Sequence, residues 1–280
     1  MPLIKLDNDI KINYQLEGNE DGGLFLLIHG YGSWMYGYDE IFSLLTKKFL
    51  VLRSDLRGHG DSDKPIFEDN YEATKNLYTI DKFAEDNYLL LKKLGLLNKY
   101  PKIYVYGHSM GGMISQVFAL NYPDIIKKLI LGSTSYTMYS EGMEKVLKDY
   151  RAGKLGNLRE SFALTARSAY TLRFKKEHPE YLEKEVEGKM KCPSEVIFAA
   201  MENFIYNFNV KDQLKNLKTP TLILTGNKDS LVLPKRSYKL NELIPNSKLV
   251  VFEKQNHGIN VEIPDKVVNE IITFIETPTQ

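Results

Sequence analysis

The chain has 280 residues with 37 Lys+Arg against 36 Asp+Glu, a formal net charge of +1, and so lacks the positive field that draws proteins to nucleic-acid backbones or anionic lipid. A hydrophobic share of 43% beside 26% charged residues excludes intrinsic disorder for most of the chain and permits a full core without covalent staples. A single cysteine, Cys192, excludes an internal disulfide or a multi-thiolate metal site and points to a reducing compartment, the cytoplasm.

Met1 to Ile12 alternates apolar and polar residues without a basic leader or long apolar stretch, and predicts an edge hairpin from Leu3 to Leu6 and Ile10 to Leu16. Short apolar runs then recur, each ending in a Gly, Asp or Ser cluster: Leu24 to Ile28, Leu50 to Leu52, Ile103 to Tyr106, Lys128 to Leu131, Thr221 to Thr225 and Leu249 to Phe252. All fall well short of the roughly 18 apolar residues of a membrane helix, so no integral membrane association is expected. Between them lie helical patterns, as in Ile80, Phe83, Ala84, Leu90, Leu91 and Leu94, or Val267, Val268, Ile271, Ile272 and Ile275, with Pro264 suited to a first helical turn. Continuous apolar strands alternating with helices predict an α/β fold with a mainly parallel sheet covered on both faces. The strand rhythm stops from Thr134 to Asn209, a stretch of helical composition that holds Arg151, Arg159, Arg167 and Arg173. The predicted organisation is a core of residues 1–133 and 210–280 carrying a helical insertion, 134–209, whose Lys/Glu-rich run from Lys175 to Lys191 is expected to be a solvated helix face.

Gly107-His108-Ser109-Met110-Gly111 fits G-x-S-x-G and stands between a predicted strand and the helical pattern Met113, Ile114, Val117, Phe118, the strand-turn-helix setting of a nucleophile elbow. A serine hydroxyl needs a base within hydrogen-bond reach and an acid to orient that base. Of the five histidines, His29, His59 and His108 sit in glycine-bordered turns and His178 lies in the insertion, whereas His257 follows the last predicted strand. Asp229, just past the strand Thr221 to Thr225, precedes His257, completing the order nucleophile, acid, histidine. After the first central strand, His29-Gly30-Tyr31-Gly32 offers the Tyr31 backbone N–H, which with that of Met110 makes a candidate oxyanion hole.

On these residues, together with Asp55-Leu56-Arg57-Gly58-His59-Gly60-Asp61-Ser62, Gly226-Asn227-Lys228-Asp229 and Gln255-Asn256-His257, the chain resembles the capped serine hydrolases of the α/β-hydrolase fold, among them carboxylesterases and monoacylglycerol lipases. The resemblance implies a Ser109, His257 and Asp229 triad acting through an acyl-enzyme on small to medium carboxylic esters, with no metal and no organic cofactor. It also implies that the Asp55 to Ser62 run is a structural turn and that the insertion is a lid. Trp34, Phe162, Phe198 and Phe204 are candidates to line the pocket, and Arg167 and Arg173 to hold a substrate carboxylate. A lactonase or C–C bond hydrolase built on the same three residues, and a non-catalytic ligand receptor, are the alternatives.

Overall fold

The computed structural model describes residues 2–278; Met1, Thr279 and Gln280, at the outer ends of the two predicted core segments, lie outside the described residues. Eight strands make one sheet: β1 (Leu3–Lys5), β2 (Lys11–Gly18), β3 (Leu24–Ile28), β4 (Leu50–Ser54), β5 (Ile103–His108), β6 (Ile126–Gly132), β7 (Thr221–Gly226) and β8 (Ser247–Phe252). Their spatial order is β1-β2-β4-β3-β5-β6-β7-β8. The first two pairings, β1 with β2 and β2 with β4, are antiparallel and the rest parallel. The predicted strands and the edge hairpin are all present, with β6 and β8 starting slightly earlier than the apolar runs that announced them.

The helices are α1 (Asp39–Leu45), α2 (Tyr71–Asn76), α3 (Ile80–Lys93), α4 (Leu96–Lys99), α5 (Met110–Asn121), α6 (Glu141–Arg151), α7 (Leu158–Ala169), α8 (Leu172–Glu177), α9 (Pro179–Met190), α10 (Ser194–Glu202), α11 (Lys235–Leu243), α12 (Ile259–Glu262) and α13 (Pro264–Glu276). Because successive strand side chains point to opposite faces, β3 splits its fully buried run. Leu24, Leu26 and Ile28 join the cluster that contains Phe83 and Leu90 of α3 and Ile114 of α5. Phe25 and Leu27 join the opposite cluster, with Ile41, Phe42 and Leu45 of α1 and Val267 and Ile271 of α13. The central sheet is therefore apolar on both faces, which is why its parallel strands carry no alternation, unlike the edge hairpin of β1 and β2.

Buried charges in this core are paired. Arg57 forks onto Asp86 with two 2.5 Å hydrogen bonds. Arg53 donates to Asp39 at 2.8 Å and to Gln15. Lys128 donates to the carbonyls of Phe274, Ile275 and Thr277, closing the C-terminal turn of α13 where backbone acceptors would otherwise lack donors.

Between β6 and β7 the chain makes α6 to α10 and adds no strand to the sheet. The two ends of this segment meet at a single antiparallel bridge, Thr137 with Asn209, beside a hydrogen bond from Val210 N–H to the Tyr136 carbonyl. The segment is tied to the sheet layers by polar contacts: Glu202 accepts from the Tyr71 hydroxyl at 2.9 Å and pairs with Lys75 at 3.4 Å, and Lys184 pairs with Asp39.

Candidate active site

At the end of β5 the chain turns sharply, and Ser109 sits at φ 58°, ψ −122° before α5 begins at Met110. A non-glycine residue held there costs on the order of 1–3 kcal/mol and persists only because its surroundings leave no alternative. Those surroundings are explicit. Ser109 N–H donates to the Gly132 carbonyl at 2.9 Å, and its carbonyl accepts from Thr134 Oγ1 at 2.6 Å and Gly112 N–H at 2.9 Å. Glycines let the elbow seat against β3: a Cβ on Gly111 would stand 2.0 Å from the Ile28 carbonyl oxygen, and one on Gly107 2.1 Å from the Gly111 oxygen. Gly111→Ala must push backbone against backbone, so a loss of about 3 kcal/mol or more, and a Tm lower by roughly 6 °C or more, is expected in thermal unfolding.

Asp229 lies in the turn after β7 and is 2% exposed. Its Oδ2 stands 2.9 Å from His257 Nδ1, while Oδ1 accepts from the backbone N–H groups of Leu231 at 3.0 Å and Val232 at 2.8 Å. Burial pushes the Asp229 carboxyl up, but the His257 charge and these hydrogen bonds outweigh it and hold the group below its ordinary 3.8. A carboxylate on Nδ1 makes that nitrogen the N–H donor and leaves Nε2 as the lone-pair nitrogen. His257 and Ser109 line the same cavity; no hydrogen bond joins them in this ligand-free geometry. Beneath His257, the His108 ring lies 4.7 Å away and its Nε2 donates to the His257 carbonyl at 2.9 Å. Burial, with the neighbouring His257, lowers the His108 imidazole to about 3, so it is a neutral prop.

The loop after β3 faces Ser109, with Gly30 close enough that a Cβ would stand 3.2 Å from Ser109 Cβ. The N–H groups of Tyr31 and Met110 have no intramolecular acceptor among the described residues, and both residues line the cavity. Two buried histidines clamp this loop. His29 Nδ1 donates to the Gly30 carbonyl at 2.9 Å while Nε2 accepts from Leu56 N–H at 3.0 Å. His59 Nδ1 donates to the Arg57 carbonyl at 3.0 Å while Nε2 accepts from Gly32 N–H at 3.3 Å. Each thus needs one unprotonated nitrogen, and burial lowers His29 to about 4 and His59 to about 3.

The cavity has a volume of about 490 Å³ and is walled mainly by apolar side chains, among them Phe162, Phe198, Phe204, Met113, Met138 and Met201. Among the described residues no cluster of His, Cys, Asp or Glu is placed to hold a metal ion. The arrangement offers a hydroxyl on a strained turn, an imidazole braced by a buried carboxylate, and two free N–H groups, around an apolar chamber.

A family model for serine aminopeptidases, S33, matches residues 19–264. The chain belongs to this family. The hydrolase is 28% identical to Lipase 1 of Psychrobacter immobilis over 94% of its own length and 80% of the lipase. It is 27% identical to proline iminopeptidase PfmaB of Pestalotiopsis fici over 96% of its own length and 97% of that protein. Among solved structures, a thermophilic esterase from Thermogutta terrifontis superposes with a TM-score of 0.82 at 26% identity, covering 99% of this chain and 100% of the esterase. The α/β-hydrolase fold and a hydrolytic enzyme are thereby established. Among the described residues no helix of the hydrolase is long and apolar enough to cross a membrane.

Three pocket candidates are corrected by the structure. Trp34 of the hydrolase is not in the cavity wall: it packs on α9, where a Cβ at Gly188 would stand 2.9 Å from its ring, and lies under the Lys191 ammonium at 4.2 Å. Arg167 is exposed on α7, and Arg173 is exposed on α8 and pairs with Glu177 at 3.0 Å, so neither faces the cavity. On the outward faces of these helices the arginine stems run along the surface, where the charge keeps its hydration. Conversely, the run from Lys175 to Lys191 is not wholly solvated, because Lys189 is buried and lines the cavity. Its signal was spacing: Leu182, Val186 and Lys189 fall at i, i+4 and i+7, one face of α9.

Proposed function

We propose that the protein is a serine ester hydrolase in which Ser109, His257 and Asp229 act as nucleophile, base and orienting acid. The observation that carries this reading is the His257 Nδ1 to Asp229 Oδ2 pair, which leaves Nε2 proton-free at the cavity that Ser109 also lines. Ser109 Oγ attacks the ester carbonyl carbon as Nε2 takes its proton, and the N–H groups of Tyr31 and Met110 hold the oxyanion. Collapse of the tetrahedral intermediate breaks the C–O bond, and the imidazolium returns the proton to the leaving alcohol. Water repeats the sequence on the acyl-enzyme and frees the acid. Residues 134–209 are the lid in this reading, shaping a chamber suited to small and medium acyl chains through Phe162, Phe198 and Phe204. Similarity along most of the chain to a lipase and an esterase supports ester cleavage. The buried, unpaired Cys192 suits a reducing compartment such as the cytoplasm.

The test is a chain-length series of p-nitrophenyl esters, with a lactone, a meta-cleavage diketone and proline p-nitroanilide alongside. Wild type is expected to prefer an ester, and Ser109→Ala to lose on the order of 10⁵ to 10⁶ in kcat, as nucleophile removal does in comparable triads. Ester turnover that survives Ser109→Ala overturns the mechanism, and preference for the diketone or the anilide overturns the substrate class.

A further inference from the structure

Four cationic side chains are buried among the described residues: Arg53, Arg57, Lys128 and Lys189. The first three are satisfied by carboxylates, amide oxygen or backbone carbonyls. Lys189 is 7% exposed, and among the described residues its ammonium has no hydrogen-bond or ion-pair partner. Its stem lies across the loop after β3, where a Cβ on Gly32 would meet Lys189 Cγ at 3.0 Å and Cε at 3.1 Å. Nζ stands 5.9 Å from the centre of the Tyr31 ring, and the residue shares the cavity wall with Ser109 and His257.

No neighbouring carboxylate pairs with it directly among the described residues, although Glu185, which also lines the cavity, favours its charge from farther away. Glu185, one turn earlier on α9, spends Oε1 on the Tyr170 hydroxyl at 2.7 Å and lies beyond ion-pair distance of Lys189. Burial pushes the Cys192 thiol up to about 12 and raises the Tyr31 phenol, so both are uncharged. Burial also pushes the Lys189 ammonium below its ordinary value, against the pull of Glu185. A buried charge without a partner is costly, and a ligand that supplies the counter-charge recovers that cost.

We propose that Lys189 is an anion subsite within the acyl pocket, so that the favoured substrates are esters whose acyl chain ends in a carboxylate. The inference rests on the ester-hydrolase reading for the position of the scissile bond; the charge recognition does not. An ammonium paired with a carboxylate in a dry chamber is a strong, charge-assisted contact, whereas an uncharged acyl chain leaves it unmet.

The experiment compares wild type with Lys189→Met, which keeps the stem over Gly32 and removes the charge. Monomethyl glutarate and monomethyl adipate are set against methyl pentanoate and methyl hexanoate, and binding of free glutarate is measured by calorimetry. Wild type is expected to favour the hemiesters. Lys189→Met is expected to lose about 20-fold or more in kcat/KM for them, to stay within about threefold on the neutral esters, and to lose glutarate binding. Because no hydrogen bond or ion pair of Nζ is broken and only its contact with the Tyr31 ring at 5.9 Å is lost, while the cost of a buried charge is removed, the variant's Tm is expected to equal or exceed that of wild type. An unchanged hemiester-to-neutral ratio with unchanged glutarate binding overturns the proposal, and so does a large fall in Tm, which would mean that the protein itself holds the ammonium. Loss of glutarate binding in Lys189→Met together with no turnover of any ester by wild type sustains the subsite and overturns the ester reading alone.

Discussion

Asp229→Asn is expected to lower kcat on the best ester by about 10⁴-fold, close to 5.5 kcal/mol of transition-state stabilisation, with Tm nearly unchanged. The reason lies in how the two carboxylate oxygens are used. Oδ1 accepts from the N–H groups of Leu231 and Val232, and Oδ2 takes the Nδ1–H of His257. Asparagine has one oxygen, and two backbone donors claim it, so its NH₂ must face His257 Nδ1. That nitrogen then becomes the acceptor and the ring proton moves to Nε2, the atom that has to take the Ser109 proton. The turn keeps its backbone bonds, which is why stability should survive while turnover does not. Steady-state kinetics with a thermal melt on the same sample decides it. A loss of less than tenfold would move the orienting acid elsewhere.

Between pH 6.5 and pH 5 the protein is expected to lose about 3 kcal/mol of unfolding free energy through His29 and His59. Each takes up its proton near 6.5 when unfolded but only at about 4 and about 3 in the fold. The unfolded chain therefore binds more protons throughout that window, and the stability present above 6.5 drains away as pH falls, at a rate for each group that rises from about 0.7 kcal/mol per unit at pH 6.5 toward about 1.4 by pH 5. His108, lowered to about 3, adds a loss of the same order. Asp229 works in the same direction but only below 3.8, under this window. Set against a usual total of about 5–15 kcal/mol, the effect is large. Urea denaturation at pH 7 and pH 5 measures it, and equal midpoints would show that the imidazoles can be charged in place. The same clamp carries the loop with the Tyr31 N–H, so ester turnover is expected to fall with stability on the acid side.

The strands were legible because a sheet buried on both faces writes itself as continuous apolar runs, as in Leu24 to Ile28, each ended by a turn residue. The helix α1 was not, since seven residues with Ile41, Phe42 and Leu45 inward give too short a period to separate from a loop. Ser109, Asp229 and His257 could be picked out for the same reason as the strands. Each stands at the C-terminal end of a parallel strand or just beyond it, where chain order and position in the fold coincide.

Inside the helical segment that correspondence fails. Spacing can mark a stripe on α9, as Leu182, Val186 and Lys189 do, but which element that stripe meets is decided by packing against a distant partner. Charge and location alone make Arg167 and Arg173 pocket candidates, and position just after the loop that follows the first central strand makes Trp34 one, while Lys189 is hidden inside a charged run. By itself the sequence determined the α/β sheet, the elbow at Ser109 and the chain order of Asp229 and His257, all consequences of local pattern. Only the tertiary structure decided that Nδ1 rather than Nε2 meets Asp229, that His29 and His59 grip one loop as neutral rings, and that Lys189 reaches the cavity. These depend on distances between residues far apart in the chain, which hydrophobic burial sets and local pattern does not record.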